Sequence, residues 1–199
     1  MSDDSATGQQ PLRPFPLMRT RHIRLRVISD QDSFFLYDLM TSPLSGGRVR
    51  FAGATPSPDK IAGSLWESVL AQFIVEGVDS GQPLGLIAIT SPNFRDGFAY
   101  LSAIGVPEVQ GAGLIAEGIA LGFNYAFNAW PFRKIYMEST EESYQGFKSG
   151  IGRFFVEEGR LREHVFWNGH YMDLLILAFY RETWARNASL ILNTLHASP

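Results

Sequence analysis

The sequence predicts a mixed α/β fold in which most neighbouring strands run antiparallel. Strand segments at 72–76 and 83–89 are joined by the turn-forming residues 79–81, and two more strands flank Asn168–Gly169, a dipeptide typical of tight hairpins. A third unit runs from a strand at 98–105 through a Gly-rich turn and a helix at 114–127 to a strand at 133–138. This order of strand, helix and returning strand predicts one parallel pair within the sheet.

The N-terminal third supplies the remaining elements. Residues 1–18 include three prolines, show no apolar periodicity and are predicted to be flexible. Alternating polar and apolar residues at 22–28 predict a first strand, N-cap residues at 29–32 precede a helix, and Ser57 with Pro58 predicts another helix that extends to Trp66. We therefore expect one domain over 19–184 and a C-terminal tail over 185–199, whose apolar residues favour a terminal helix.

Composition argues against several classes of protein. The chain has no cysteine, which excludes disulfides, thiolate metal sites and a cysteine nucleophile, and its four scattered histidines give no reason to expect a metal. The net charge of −3 argues against binding nucleic acid through bulk positive charge. No apolar run approaches the ~20 residues of a membrane span, and the N-terminus is unlike a signal peptide, so we expect a cytoplasmic protein with no membrane partner.

Four blocks of sequence between residues 20 and 184 form an ordered series. The first is RLR at 24–26 followed by D-x-D at 30–32, and the second is the segment 107–127, which begins PEVQGAGLIAEG. The third is RKIY at 133–136, and the fourth joins EGRLRE at 158–163 to G-x-Y-x-D at 169–173. In this order the blocks resemble the RimJ/RimL-like branch of the GNAT (GCN5-related) N-acetyltransferase superfamily, and the second is similar to its acyl-CoA motif.

The resemblance implies both a fold and a donor site. It implies a six- to seven-stranded sheet with helices on both faces and two central strands that diverge into a V-shaped opening, with the Gly-rich turn at its mouth. A turn of this kind presents free N–H groups and the positive end of a helix dipole, which suits the pyrophosphate of acetyl-CoA or another acyl-CoA. Alternatively, the glycines only serve a tight turn. The residues expected to hold the donor are Val106, Gln110, Gly111, Ala112, Gly113, Leu114, Ile115 and Ser143.

Three positions depart from the family's donor-handling pattern. The turn usually ends in a small residue, whereas Ile115 has a β-branched side chain that is expected to crowd a close backbone approach. Ser143 aligns with the family's Asn, and Gly150 aligns with the Tyr that protonates the departing thiolate. The pattern therefore predicts either another acid or a different donor.

Catalysis by such a protein needs a backbone donor for the oxyanion, an oriented amine and a route for the amine proton. The resemblance places the backbone donor at a bulge near Ala103, Ile104 and Gly105, with Tyr100 and Ser102 as polar residues on the same strand. The candidate proton acceptors are Glu138 and, beside the Gly-rich turn, Glu108. By the same resemblance Asp173 is a structural hydrogen-bonding carboxylate, while His164 and His170 are expected to face solvent or cap the sheet.

Three functions remain open from the sequence. The first is transfer of an acetyl or other acyl group from acyl-CoA to a primary amine of a small molecule or protein N-terminus. The second is the same chemistry with an aminoacyl-tRNA donor, and the third is noncatalytic binding by a GNAT fold. A homodimer is a further expectation from the family. Alternating arginines on a strand usually form a solvated face, but such residues could also contact a tRNA backbone. The basic residues in question are Arg19, Arg21, Arg24, Arg26, Arg48, Arg50, Arg133 and Lys134.

Overall fold

A seven-stranded sheet is the centre of the computed structural model, which describes residues 18–42, 51, 53–109, 111–140, 143, 154–167 and 169–196. The strand order is β1-β2-β3-β4-β5-β7-β6, and every pair is antiparallel except β4 with β5. This confirms the mostly antiparallel sheet with one parallel pair. The strands are β1 Ile23–Arg26, β2 Val69–Gly77, β3 Pro83–Asn93, β4 Phe98–Gly105, β5 Lys134–Thr140, β6 Val156–Trp167 and β7 His170–Tyr180.

Helices cover both faces of the sheet, as predicted. In the described part of the chain they are α1 Ser33–Thr41, α2 Pro58–Ser64, α3 Leu114–Ala129 and α4 Arg181–His196. Successive strand residues point to opposite faces, so one face builds a core with α1 and α2 through residues such as Ile74 and Ile104, while the other packs Ile87 and Leu101 against α3. None of the described helices has the length and apolar character needed to cross a membrane.

Helix α4 runs through residue 184, where the sequence analysis placed the end of the domain. Trp184 is 5% exposed and belongs to the larger core cluster. Ala188, Ile191 and Leu192 are partly buried and pack against the same cluster. The described chain therefore shows no break in packing at residue 184, because one apolar helix face spans that position.

Several elements differ in extent from the sequence expectation. β1 is shorter than the predicted 22–28, and α2 ends at Ser64 rather than Trp66 because residues 65–68 form turns. Arg48, Arg50 and Gly150, which the sequence analysis singled out, lie outside the described residues.

The arginines of β1 tie three elements together. Arg24 donates to Glu76 of β2 at 2.6 Å, and Arg26 donates both to Glu76 and, at 2.7 and 2.8 Å, to the two carboxylate oxygens of Asp32. The bidentate hydrogen bonds from Arg26 lower the pKa of Asp32 to about 2 despite its burial. Burial opposes ionisation of Glu76, but its bonds from Arg26 and Arg24 outweigh that effect and lower its pKa. Arg24 and Arg26, two of the basic residues considered for tRNA binding, therefore form ion pairs within the fold.

Candidate active site

Strands β4 and β5 separate after three paired residues. Their parallel pairing joins Phe98, Ala99 and Tyr100 to Lys134, Ile135 and Tyr136. Beyond these residues β4 continues along β3 as far as Gly105, whereas β5 continues along β7 as far as Thr140. The two strands therefore diverge, and the V-shaped opening predicted from the sequence is confirmed.

A cavity of about 920 Å³ lies in this opening. Its described walls come from β3, β4, β5, β6 and β7, with Ile119 contributed by α3. Apolar lining residues such as Leu101 and Met137 belong to or pack against the core beneath α3, while Tyr100 and Ser102 alternate with Leu101 and so face the side of α1 and α2. The cavity is therefore lined by polar side chains on the face of the sheet that carries α1 and α2, and by apolar side chains on the face that carries α3. Its polar lining consists of Thr90, Ser91, Tyr100, Ser102, Glu138, Ser139, Thr140, Ser143 and His164.

The cavity brings together two of the three residues predicted to be catalytic, Ser102 and Glu138. Glu138 is exposed to the cavity, and among the described residues it has no hydrogen-bond or ion-pair partner. Its charge is nevertheless felt by Tyr100: burial, followed by the negative charge of Glu138, raises the pKa of that phenol. Tyr100 and Glu138 thus line the same cavity from β4 and β5.

The third candidate, Ile104, is placed differently. Its side chain is 8% exposed and packs in the core of α1 and α2. The register between β3 and β4, two strands that are described throughout, is continuous from Gly105 to Tyr100, so the bulge expected near Ala103, Ile104 and Gly105 is absent from this pairing. This expectation was wrong because the strand pairs without interruption.

The direction of the β4 backbone follows from the same register. The N–H of Val106 donates to the carbonyl of Leu84 at 2.9 Å, and hydrogen-bonded pairs alternate along an antiparallel ladder. Ile104, two residues before Val106, consequently directs its N–H and C=O toward β3. Ala103 and Gly105 direct theirs toward the opening, where β5 no longer pairs with β4.

The Gly-rich turn has the geometry of an anion-binding helix start. Gly111 and Gly113 have φ values of 80° and 77°, a region that favours glycine. The N–H of Glu117 donates to Gly113 at 3.0 Å, so the N–H groups of Leu114, Ile115 and Ala116 precede the first intrahelical bond. A β-carbon on either glycine would meet nothing within 4 Å, which leaves open space above the turn. Gln110 lies outside the described residues.

The turn reaches the cavity indirectly. Among the described lining residues of the cavity, none belongs to 111–115. Gly113 instead borders an apolar groove of about 460 Å³ between α3 and α4. Ile119 and Phe155 line both spaces, so the groove and the cavity lie side by side. Of the other predicted donor residues, Val106 packs toward the core of α1 and α2, while Ser143 lines the cavity and shares a 3.1 Å hydrogen bond with Thr140.

Ile115 packs into the sheet rather than over the turn. A β-carbon on Gly105 would lie 2.5 Å from the Cγ1 atom of Ile115, and one on Gly85 would lie 2.8 Å from its Cδ1 atom. Gly85 and Gly105 pair with each other across β3 and β4. The bulky side chain of Ile115 is therefore accommodated by two glycines of the sheet, Gly85 and Gly105, instead of crowding the turn.

Lys134 is committed to a polar cluster beside the cavity. Its ammonium group lies 2.6 and 2.9 Å from the carboxylate oxygens of Glu158, which also accepts hydrogen bonds from the hydroxyls of Tyr136 and Tyr180. Burial opposes ionisation of Glu158, but the hydrogen bonds, first that from Lys134, lower its pKa to about 2. This lysine, expected among the surface cations, is 7% exposed.

His164 is a cavity residue that the sequence analysis did not assign to the site. It is exposed, in line with the expectation that it faces solvent, and it lines the opening together with Ser102 and Glu138. Its position depends on an interruption of the pairing between β6 and β7, next to a left-handed Glu163. A non-glycine residue in that conformation is uncommon, so the sequence carries no local signal for it.

No family model matches this chain. Two curated relatives are spermidine N(1)-acetyltransferases. The one from Vibrio cholerae serotype O1 is 31% identical over 103 residues, 52% of this chain and 59% of the relative. The one from Escherichia coli K12 is 26% identical over 113 residues, 57% of this chain and 60% of the relative. The chain thus spans about three fifths of the length of the curated relatives that it matches.

Solved structures show the fold more completely. A spermidine N-acetyltransferase from Vibrio cholerae in complex with CoA and spermine superposes with a TM-score of 0.70 at 24% identity, covering 82% of this chain and 98% of that one. A spermidine/spermine N-acetyltransferase from Vibrio cholerae in complex with manganese ions gives a TM-score of 0.69 at 24% identity, covering 84% and 97%. In the described part of this chain, no group of three or more His, Asp or Glu side chains is arranged to hold a metal. The likeness shows that this chain has the GNAT fold.

Proposed function

We propose that this chain, which has the GNAT fold, is an N-acyltransferase that moves an acetyl or related acyl group from acyl-CoA to a primary amine. The observation that carries the proposal is the divergence of β4 and β5, which opens the 920 Å³ cavity between a polar and an apolar side of the sheet. The solved relative with CoA and spermine supports the same assignment. Within the superfamily, the four sequence blocks favour the RimJ/RimL-like branch.

The donor would approach from the start of α3. The free N–H groups after Gly113 and the positive end of the helix dipole suit a pyrophosphate. The apolar groove that borders Gly113 shares Ile119 and Phe155 with the cavity, which supports an approach of the donor from this side of α3. The open space above Gly111 and Gly113 leaves room for such a group.

The backbone of β4 supplies a donor for the oxyanion. Since Ile104 directs its N–H toward β3, we assign this role to the N–H of Ala103, which points into the opening. Ala103 also lines the cavity, beside Ser102. Ala103 is one of the three residues at which the sequence analysis expected this donor.

The acceptor side suits a cation. Glu138 offers a carboxylate with no partner among the described residues, and the aromatic ring of Tyr100 lines the same cavity. Carboxylates and aromatic faces both attract ammonium groups. Because the matched relatives are named as spermidine acetyltransferases, we infer that a polyamine is the first acceptor to test.

The two alternatives have less support. Of the basic residues proposed to meet tRNA, Arg24 and Arg26 bind Glu76, and Lys134 binds Glu158. Loss of catalysis is not favoured either, because the cavity retains polar groups and is open to both sides of the sheet. The expected homodimer remains a proposal: the edge strand β6 exposes Val156, Leu161 and Phe166, and sedimentation of the purified chain tests whether it associates.

The deciding experiment is a side-by-side donor assay. The purified chain is incubated with acetyl-CoA or with charged tRNA and a panel of spermidine, a simple alkyl amine and a peptide N-terminus, and products are identified by mass spectrometry. We expect CoA release with acetylation of spermidine. Turnover that requires charged tRNA would favour the altered donor, and no turnover with either donor would favour noncatalytic binding.

A matched pair of variants tests the acceptor side. Glu138→Gln should raise KM for cationic amines by about tenfold, because it removes roughly 1.4 kcal/mol of attraction. Glu182→Gln, which changes an exposed carboxylate at the start of α4, should leave KM unchanged. Equal effects of both variants would argue against Glu138 as the group that binds the ammonium ion.

A further inference from the structure

Strand β6 leaves its regular pairing with β7 beside the cavity. Leu161 pairs with Leu174 and Val165 pairs with Met172, so residues 162–164 lie opposite a single residue of β7. Glu163, in the middle of this bulge, has a left-handed φ of 49°. Bulges redirect the side chains that follow them, and here the next residue, which lines the cavity, is a histidine.

Asp173 is the residue of β7 that holds the bulge. Its Oδ1 atom accepts a hydrogen bond from the N–H of Glu163 at 3.0 Å, and its Oδ2 atom accepts one from Arg160 at 3.3 Å. The bond from the Glu163 backbone is the main reason why the pKa of Asp173 is lowered. The ionised carboxylate of Asp173 therefore holds the backbone of Glu163 in its left-handed conformation. In this way it also fixes the position of the next residue, His164.

Acyl transfer to an amine requires a proton acceptor next to the bound amine. A primary alkyl amine resembles a lysine side chain, with a pKa near 10, and is mostly an unreactive ammonium ion at neutral pH. Imidazole is the side chain that ordinarily changes charge in the neutral range and is the most frequent general base. The described lining of the cavity contains one imidazole, that of His164, and one carboxylate, that of Glu138.

We propose that His164 accepts the ammonium proton while Glu138 binds the ammonium group beside it. The inference rests on the proposed acyl transfer and names its base. The neutral amine then attacks the thioester carbon: the C–N bond forms, the C–S bond breaks, and the second amine proton passes to the departing sulfur. His164 afterwards returns its proton to solvent. The titratable or charged groups around it in the described chain are Tyr100 of β4, Glu138 of β5, Asp173 of β7, and Arg160, Arg162 and Glu163 of β6.

The test compares acceptors that differ in basicity. His164→Gln is assayed with acetyl-CoA and either a strongly basic alkyl amine or an alkoxyamine, which is already neutral at the assay pH. Loss of a general base should lower kcat/KM for the alkyl amine by ~10²- to 10⁴-fold and should affect the alkoxyamine far less. His170→Gln, in the same hairpin and outside the described lining of the cavity, serves as the matched control and should behave like the unmodified protein.

Two further readouts separate a base from a structural residue. In His164→Gln the kcat/KM–pH profile for the alkyl amine should rise continuously toward the pKa of the amine itself, whereas His170→Gln should keep the profile of the unmodified protein. Imidazole added to a His164→Ala variant should restore part of the lost rate with the alkyl amine. A His164→Gln protein that keeps the unmodified profile, or that loses activity equally with both acceptors, overturns the assignment of His164. Absence of turnover in the unmodified protein overturns the proposed function itself, and this inference with it.

Discussion

The side chain of Ile115 lies against the α-carbon of Gly105 so closely that a β-carbon there would be 2.5 Å from its Cγ1 atom. Carbon atoms in ordinary contact are about 3.5–4.0 Å apart. The same side chain covers Gly85, the partner of Gly105 on β3. A bulky residue in the first turn of α3 is thus matched by two glycines facing it on the sheet.

Replacing Gly105 should therefore destabilise the protein in a way that a second substitution repairs. Gly105→Ala should lower the free energy of unfolding by about 1–3 kcal/mol because of overpacking. In an Ile115→Ala background the same substitution should cost little, since the clashing atoms are gone. Urea unfolding of the two single variants and the double variant measures this coupling.

Gly85→Ala provides the contrast. A β-carbon there would overlap the backbone carbonyl oxygen of Ile104 as well as touch Ile115. Shortening Ile115 cannot move that oxygen, so Gly85→Ala should remain destabilising in the Ile115→Ala background. Equal rescue at both glycines would contradict this account of the packing.

Local signals were sufficient to place the elements that frame the site. The extent of β4, Phe98–Gly105, was predicted as observed because Asp96–Gly97 and Pro107 bound an apolar run. The start of α3 after Gly113 was equally plain from the glycines before it. Such features depend on neighbours within a few residues, which a single sequence contains.

Features that depend on register could not be predicted. Gly85, Gly105 and Ile115 meet only because β3 pairs with β4 in one register and α3 crosses above them. Lys134 meets Glu158 because a register shift between Glu157 and Gly159 leaves Glu158 outside the regular pairing. The second shift on β6 decides the position of His164 in the same way. Each contact joins distant parts of the chain, and no local sequence pattern specifies the strand register that brings these parts together.

The turn at Gly113 can be tested apart from its backbone strain. Gly113→Asn retains a residue that tolerates positive φ but puts a side chain into the open space above the turn. We expect little loss of thermal stability and at least a tenfold weaker affinity for acetyl-CoA, equivalent to about 1.4 kcal/mol. Isothermal titration measures the affinity.

Gly81→Asn is the matched control for this substitution. Gly81 lies between β2 and β3, has a φ of 65° and also has no atom within 4 Å of a built β-carbon. Its replacement should affect stability about as much as Gly113→Asn and leave acetyl-CoA binding intact. If both variants bind the donor normally, the glycines of the helix start serve only the turn.

Asp32 should make stability depend on acidic pH. Arg26 holds its pKa at about 2 in the folded protein, whereas a free aspartate titrates near 4. Its contribution is therefore complete above pH ~4 and is lost as the pH falls toward about 2. Asp32→Asn should cost about 2–3 kcal/mol at neutral pH, and the difference from the unmodified protein should shrink through that window.

The control for this prediction is Asp30→Asn. Asp30 lies two residues earlier in the same short helical turn and is exposed. Urea unfolding at stepwise lower pH should show a nearly constant, small effect for Asp30→Asn. A loss from Asp32→Asn that does not change as the pH falls would mean that packing, rather than the ion pair with Arg26, is responsible.

Asp173 and His164 should behave as one functional unit, although only His164 reaches the cavity. Asp173 acts as a positioning residue through its hydrogen bond to Glu163, so Asp173→Ala should release the bulge and lower kcat/KM for an alkyl amine. The double variant Asp173→Ala/His164→Gln should be no slower than His164→Gln alone, because the effects of residues that act together are not additive.

Glu157→Ala is the control: it removes another partner of Arg160 but leaves the Glu163 N–H bonded, and should keep normal activity. Steady-state kinetics of the four variants, with thermal unfolding to measure lost stability separately, decide the question. Additive losses would show that Asp173 supports the fold independently of His164, and an Asp173→Ala variant with the normal rate and pH profile would show that the bulge does not need it.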